Sequence, residues 1–87
     1  MGSWDRQEKY VDKNGDEIKA GMTITYRELY MDNPQLHFVF EMDGELWGRI
    51  VQDEYGNNIS DDPPVALRFY QKTAANDGVC YDAEIFH

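Results

Sequence analysis

A single cysteine, Cys80, stands among the 87 residues of the chain. No internal disulfide is possible, and between Val79 and Tyr81 the thiol is expected to be buried or half-buried, as free cysteines usually are. Histidine is almost as scarce, at His37 and His87 only. A Cys–His nucleophile pair would have to join Cys80 to His37, and no Cys/His metal spacing exists. The two serines, Ser3 and Ser60, lie in loop-like sequence without a Gly-x-Ser-x-Gly elbow. There is no Gly-rich phosphate loop. Paired carboxylates are available by number alone, which is weak grounds for acid–base chemistry in so acidic a chain. These absences argue against an enzyme, and no catalytic residue, metal ligand or cofactor is assigned.

Long apolar runs are also missing. Nothing approaches the roughly 18 residues of a membrane span, and no basic, apolar and small-residue regions follow one another as in a signal peptide. The expectation is a cytoplasmic chain without a membrane partner. Basic residues are few: 8 Lys plus Arg face 17 Asp plus Glu, a formal net charge of −9. Direct nucleic-acid binding is disfavoured, because phosphate contacts rely on basic groups. Acidic surfaces serve solubility, and they also match basic protein partners.

What is present is organised around residues 36–51, LHFVFEMDGELWGRIV, which read as a β-hairpin. Two registers compete. Asp43-Gly44 can form a two-residue type I′ turn that pairs Met42 with Glu45. A three-residue loop, Met42-Asp43-Gly44, instead places Leu36, Phe38, Phe40, Leu46, Gly48 and Ile50 on one face. The other face then carries His37, Val39, Glu41, Glu45, Trp47 and Arg49, with Glu41 opposite Glu45. That repulsion costs up to about 1 kcal/mol, against roughly 1.5–3 kcal/mol for burying one large apolar side chain. The three-residue loop is the expectation.

Along the rest of the chain, turns alternate with short strands. Residues 4–11 are polar apart from Trp4, Tyr10 and Val11, and suit a frayed arm, a short helical turn or an edge strand, with residues 1–10 as an arm that is free or packs on the sheet. Asp12-Lys13-Asn14-Gly15-Asp16-Glu17-Ile18 concentrates turn formers. It is not a calcium loop, which needs Gly at the sixth and Glu at the twelfth position. Asp53 to Ile59 repeats the D-x-x-G-x-x-I spacing, so both turns are expected to close hairpins and send an Ile inward. A strand opens at Gly21-Met22 with alternation through Tyr30, and Asp32-Asn33-Pro34 breaks the chain. Ser60 to Pro64 reads as a loop. Residues 65–70 (VALRFY) read as a strand with Val65, Leu67 and Phe69 on one side. Residues 74–78 form a turn. Residues 79–86 make the last strand, with Val79, Tyr81, Ala83 and Ile85 inward.

About five short strands with regular turn signals predict one all-β domain over residues 1–87. A small five-stranded antiparallel barrel or rolled sheet, SH3-like, suits the length and removes exposed edges. The alternative is an antiparallel sheet crossed by a short helix from the N-terminal arm.

Residues 10–24, YVDKNGDEIKAGMTI, resemble the opening of small prophage proteins of the YopX-like kind, through Asp12, Asn14, Gly15, Glu17, Ile18 and Gly21. In that family the D-x-N-G-x-E-I-x-x-G segment leads into the first strand of an SH3-like barrel. The resemblance implies a phage or mobile-element origin, a place in the host cytosol and no known catalysis.

The sequence therefore points to a protein-binding module. In the three-residue register, Trp47 lies between Val39 and Arg49, rimmed by His37, Glu41 and Glu45. Aromatic and Arg residues are enriched at interface hot spots. This face is covered by Trp4 or Tyr10 of the arm, or it docks the basic surface of a host or defence nucleic-acid-binding protein as an inhibitor would. A self-associating phage assembly protein is the alternative, and a small hydrolase the second alternative.

Overall fold

The computed structural model describes residues 10–27, 30–70 and 83–86. The expectations for Trp4, for Cys80, for the turn over 74–78 and for the strand positions 79–82 lie outside the described residues.

Two turns of identical design punctuate the chain. Asp12 Oδ1 accepts the N–H groups of Asn14 and Asp16, both at 2.9 Å. Asp53 Oδ1 does the same for Tyr55 at 2.9 Å and Asn57 at 2.8 Å. In each, the glycine three positions on donates back to the aspartate carbonyl, Gly15 at 3.0 Å and Gly56 at 3.1 Å. Both glycines are left-handed, with φ of 88° and 86°, which a residue without Cβ tolerates. The first turn joins strands β1 (Tyr10–Val11) and β2 (Glu17–Ile18) in a two-stranded sheet. It buries Ile18, whereas Ile59 after the second turn is half-buried. Of the alternatives for this stretch, Tyr10 and Val11 take the strand, and Tyr10 is a core residue.

The main sheet is antiparallel. Strand β3 (Thr23–Tyr26) is shorter than the alternation predicts, and β4 (Gln35–Met42) and β5 (Glu45–Gln52) form the long hairpin. Strand β6 (Val65–Ala66) and strand β7 (Glu84–Phe86) lie at its two edges, giving the order β6-β5-β4-β3-β7. The edge strands do not pair with each other, so the expected closed barrel is not formed and the sheet is open. At two and three residues they are too short to complete one, and short edges limit unwanted strand pairing. The strand expected over 65–70 stops at Ala66 and continues as a 3-10 helix, Leu67–Tyr70. Its tighter winding breaks the alternation, so Leu67 and Tyr70 are buried while Val65 and Phe69 are exposed.

The hairpin turn corrects the expected register. Met42 pairs with Glu45, Glu41 with Leu46, Phe40 with Trp47, Val39 with Gly48 and Phe38 with Arg49. Asp43 and Gly44 have φ of 57° and 76°, the two left-handed residues of a type I′ turn, whose twist matches the strands. This register keeps Glu41 away from Glu45. It also mixes apolar and charged side chains on both faces, and the core compensates by drawing its bulk from elsewhere. Tyr10, Ile18, Ile24, Val39, Leu67, Tyr70 and Ala83 come from six different segments. A bulge at Val51, where Leu36 faces Gln52 and His37 faces Ile50, ends the regular pairing.

The aspartate of the first turn also anchors the far edge. Asp12 is buried, and its Oδ2 accepts the N–H of Ile85 at 3.1 Å. Lys13 donates its N–H to the carbonyl of Ala83 at 2.8 Å. The small sheet is thereby fastened to β7, and Ala83 and Ile85 face the core as predicted, with Glu84 outward.

Candidate functional site

The pairing divides the six candidate residues between two faces. His37, Val39 and Glu41 belong to the core-facing side, with Ile50, Gly48 and Leu46 as partners. Val39 is fully buried and His37 nearly so, while Glu41 is exposed at the hairpin end. These three do not join Trp47. Glu45, Trp47 and Arg49 lie on the opposite, outer face with Phe38, Phe40 and Met42.

That outer face carries aromatic side chains on β7, β4 and β5. Phe86, Thr23, Phe38 and Arg49 form one row across β7, β3, β4 and β5, and Phe40, Trp47 and Ala66 form the next. Phe38 is 37 % exposed, Met42 38 % and Phe86 53 %. Trp47 is half-buried, and its indole N–H donates to the carbonyl of Met42 at 3.1 Å. The expected covering of Trp47 by Tyr10 does not occur, since Tyr10 sits in the core. Acidic groups flank the face. Glu45 is paired with Arg68, and Glu84 accepts from Asn14 and lies 3.9 Å from Lys13.

The core side holds a second feature that the sequence reading missed. Tyr26, His37 and Tyr70 pack edge to face, with ring centroids 5.3–5.4 Å apart and planes at 61°, 78° and 89° to one another. With Val65 and Phe69 they line a cavity of about 190 Å³. The rings are held by a chain of hydrogen bonds. Gln35 donates its amide N–H to Glu54 at 2.9 Å, which turns its carbonyl toward His37 Nε2, also at 2.9 Å. His37 therefore carries its proton on Nε2, and Nδ1 accepts from the Tyr70 hydroxyl at 2.6 Å. Burial pushes the His37 pKa down to about 4, so the ring is neutral near pH 7.

Gly48 makes room for this arrangement. A Cβ there would lie 2.7 Å from the Tyr70 hydroxyl and 2.9 Å from its ring. A glycine in the middle of a strong strand is a sequence signal for such an approach, and His37 between Leu36 and Phe38 is another. Neither signal names the partner, because Tyr70 is far away in the chain and enters from a 3-10 helix.

Among the described residues, no three His, Cys, Asp or Glu side chains are grouped to hold a metal ion. None of the described helices is long and apolar enough to cross a membrane. No family model, curated protein or solved structure matches the chain.

Proposed function

We propose that this chain is a small acidic protein-binding module that docks a basic protein surface through the outer face of its sheet. The observation that carries this reading is the run Leu36, Phe38, Phe40, Met42, four successive outward positions of β4, all apolar. An antiparallel sheet with one face on its core normally alternates to polar residues on the other. Aromatic patches with a central Arg are the usual composition of interface hot spots, and here Trp47 and Arg49 supply it. The formal charge of −9 favours a cationic partner, with attraction that weakens as salt rises. The further reading, an inhibitor of a host or defence nucleic-acid-binding protein, rests only on the resemblance of residues 10–24 to small prophage proteins. No catalytic role is part of the proposal.

The test is affinity capture on the immobilised chain at low and high salt, comparing the native sequence with Phe38→Ser, Phe86→Ser and Val65→Ser. Capture of one basic protein, reduced by salt, lost in the first two variants and kept in Val65→Ser on the opposite face, is the expected result. Unchanged capture by Phe38→Ser and Phe86→Ser would overturn the assignment. The same exposed phenylalanines also suit contact with a second copy, so recovery of the chain alone, as an oligomer dissolved by Phe38→Ser, would favour the assembly role.

A further inference from the structure

We propose that the cavity bounded by Tyr26, His37, Val65, Phe69 and Tyr70 binds an organic ammonium group, the trimethylammonium head shared by a trimethylated lysine side chain and by choline. The site lies on the face opposite the proposed docking surface and is independent of it. Four of its five lining residues carry aromatic rings, and three of these, Tyr26, His37 and Tyr70, pack edge to face with planes at 61°, 78° and 89°. Aromatic rings arranged around a space present their negative faces to a cation, and quaternary ammonium groups are favoured because they lose little hydration.

This trio of rings is also held in place before any ligand arrives. His37 has both ring nitrogens engaged, by Gln35 and by Tyr70, so its plane cannot rotate freely. Gly48 lets the Tyr70 ring seat against β5. Such preorganisation reduces the ordering that binding requires. Electrostatics point the same way. The hydrogen-bond chain behind the pocket ends on the Glu54 carboxylate, two bonds from the imidazole, and the molecule as a whole is strongly acidic. The imidazole itself is neutral near pH 7, so it adds a π wall without repelling a cation. At the rim the ring of Phe69 already attracts a cation of this chain, the Arg68 guanidinium, 5.1 Å from its centroid. Glu45 pairs with that guanidinium and offsets its charge.

The experiment is an NMR titration of the full chain, following the ring signals of Tyr26, His37 and Tyr70. The probes are choline, a short peptide bearing trimethyllysine, and the uncharged tert-butyl isostere of each. Saturable shifts of those rings are expected with a cationic probe, which binds about tenfold tighter than its isostere. Phe69→Ala, at a side chain 69 % exposed, should keep the spectrum of the fold and weaken the cation about fivefold. Tighter binding of the peptide or of choline identifies the source of the ammonium group. Equal binding of cation and isostere would overturn the proposal in favour of a plain apolar slot, and so would an absence of ring shifts with both cations.

Discussion

The hydroxyl of Tyr70 donates to Nδ1 of His37 at 2.6 Å, across 33 positions of sequence. This one bond joins the 3-10 helix to the central strand, fixes the imidazole tautomer and sets the inner wall of the aromatic cavity. Its surroundings make it sensitive both to pH and to the size of residue 48.

Burial holds the folded-state pKa of His37 at about 4, against an ordinary 6.5. Above pH 6.5 the ring is neutral in both states and the native state carries no penalty. As pH falls from 6.5 toward 4, the unfolded chain takes up a proton that the folded chain does not, and stability declines. The full loss is about 3 kcal/mol, from 1.4 kcal/mol per pKa unit. Urea unfolding at pH 7 and pH 4 checks this. The His37 ring signals should also show no titration step near pH 6.5.

Gly48→Ala should destabilise the fold by about 1–3 kcal/mol, the usual range for overpacking. The added carbon would press on the Tyr70 ring and hydroxyl. Combining it with Tyr70→Leu, which removes the obstructing ring, should make the cost of Gly48→Ala largely vanish. Equal cost in both backgrounds, measured by denaturant unfolding, would show that another contact limits residue 48.

The two matching aspartate turns should respond differently to substitution. Asp12→Ala leaves the N–H groups of Asn14, Asp16 and Ile85 without their acceptor, a loss of about 2–3 kcal/mol at a buried site. Asp53→Ala removes a similar turn at a more exposed place and should cost clearly less. Asp53 also makes its own contribution to acid sensitivity. The Asn57 backbone N–H, helped by that of Tyr55, holds its carboxyl below the ordinary range. Its stabilisation is complete above the unfolded pKa and is lost as pH falls through the folded value. Thermal unfolding of both variants at pH 7, and of Asp53→Ala at acid pH, separates these effects.

The hairpin register has a direct spectroscopic signature. With Asp43-Gly44 as the turn, Glu41 faces Leu46 and Val39 faces Gly48, so strong Hα–Hα NOEs are expected for these non-hydrogen-bonded pairs. A three-residue loop would place Glu41 against Glu45 instead. Gly44→Ala should cost about 1–2 kcal/mol, because Gly44 is left-handed at φ 76°.

Several features were legible because they depend on neighbouring residues. The Asp-x-x-Gly turns, the break at Asp32-Asn33-Pro34, the hairpin over residues 36–51 and the inward Ala83 and Ile85 all follow from local turn chemistry or period-two alternation. The candidate site was less legible for one identifiable reason. A shift of one residue in the hairpin exchanges the faces of a whole strand, and so Trp47, Glu45 and Arg49 parted from His37, Val39 and Glu41.

Sequence alone determined a β-rich chain, its turns, its lack of disulfide support and its acidity, because composition and short-range sterics act without knowledge of the partner strands. Tertiary structure decided the open sheet, the outward aromatic face and the cavity around His37. Each of these depends on which distant group fills a given space. Gly48 admits Tyr70, Asp12 holds Ile85, and the core draws on six segments, so that the hairpin need not present one wholly apolar face.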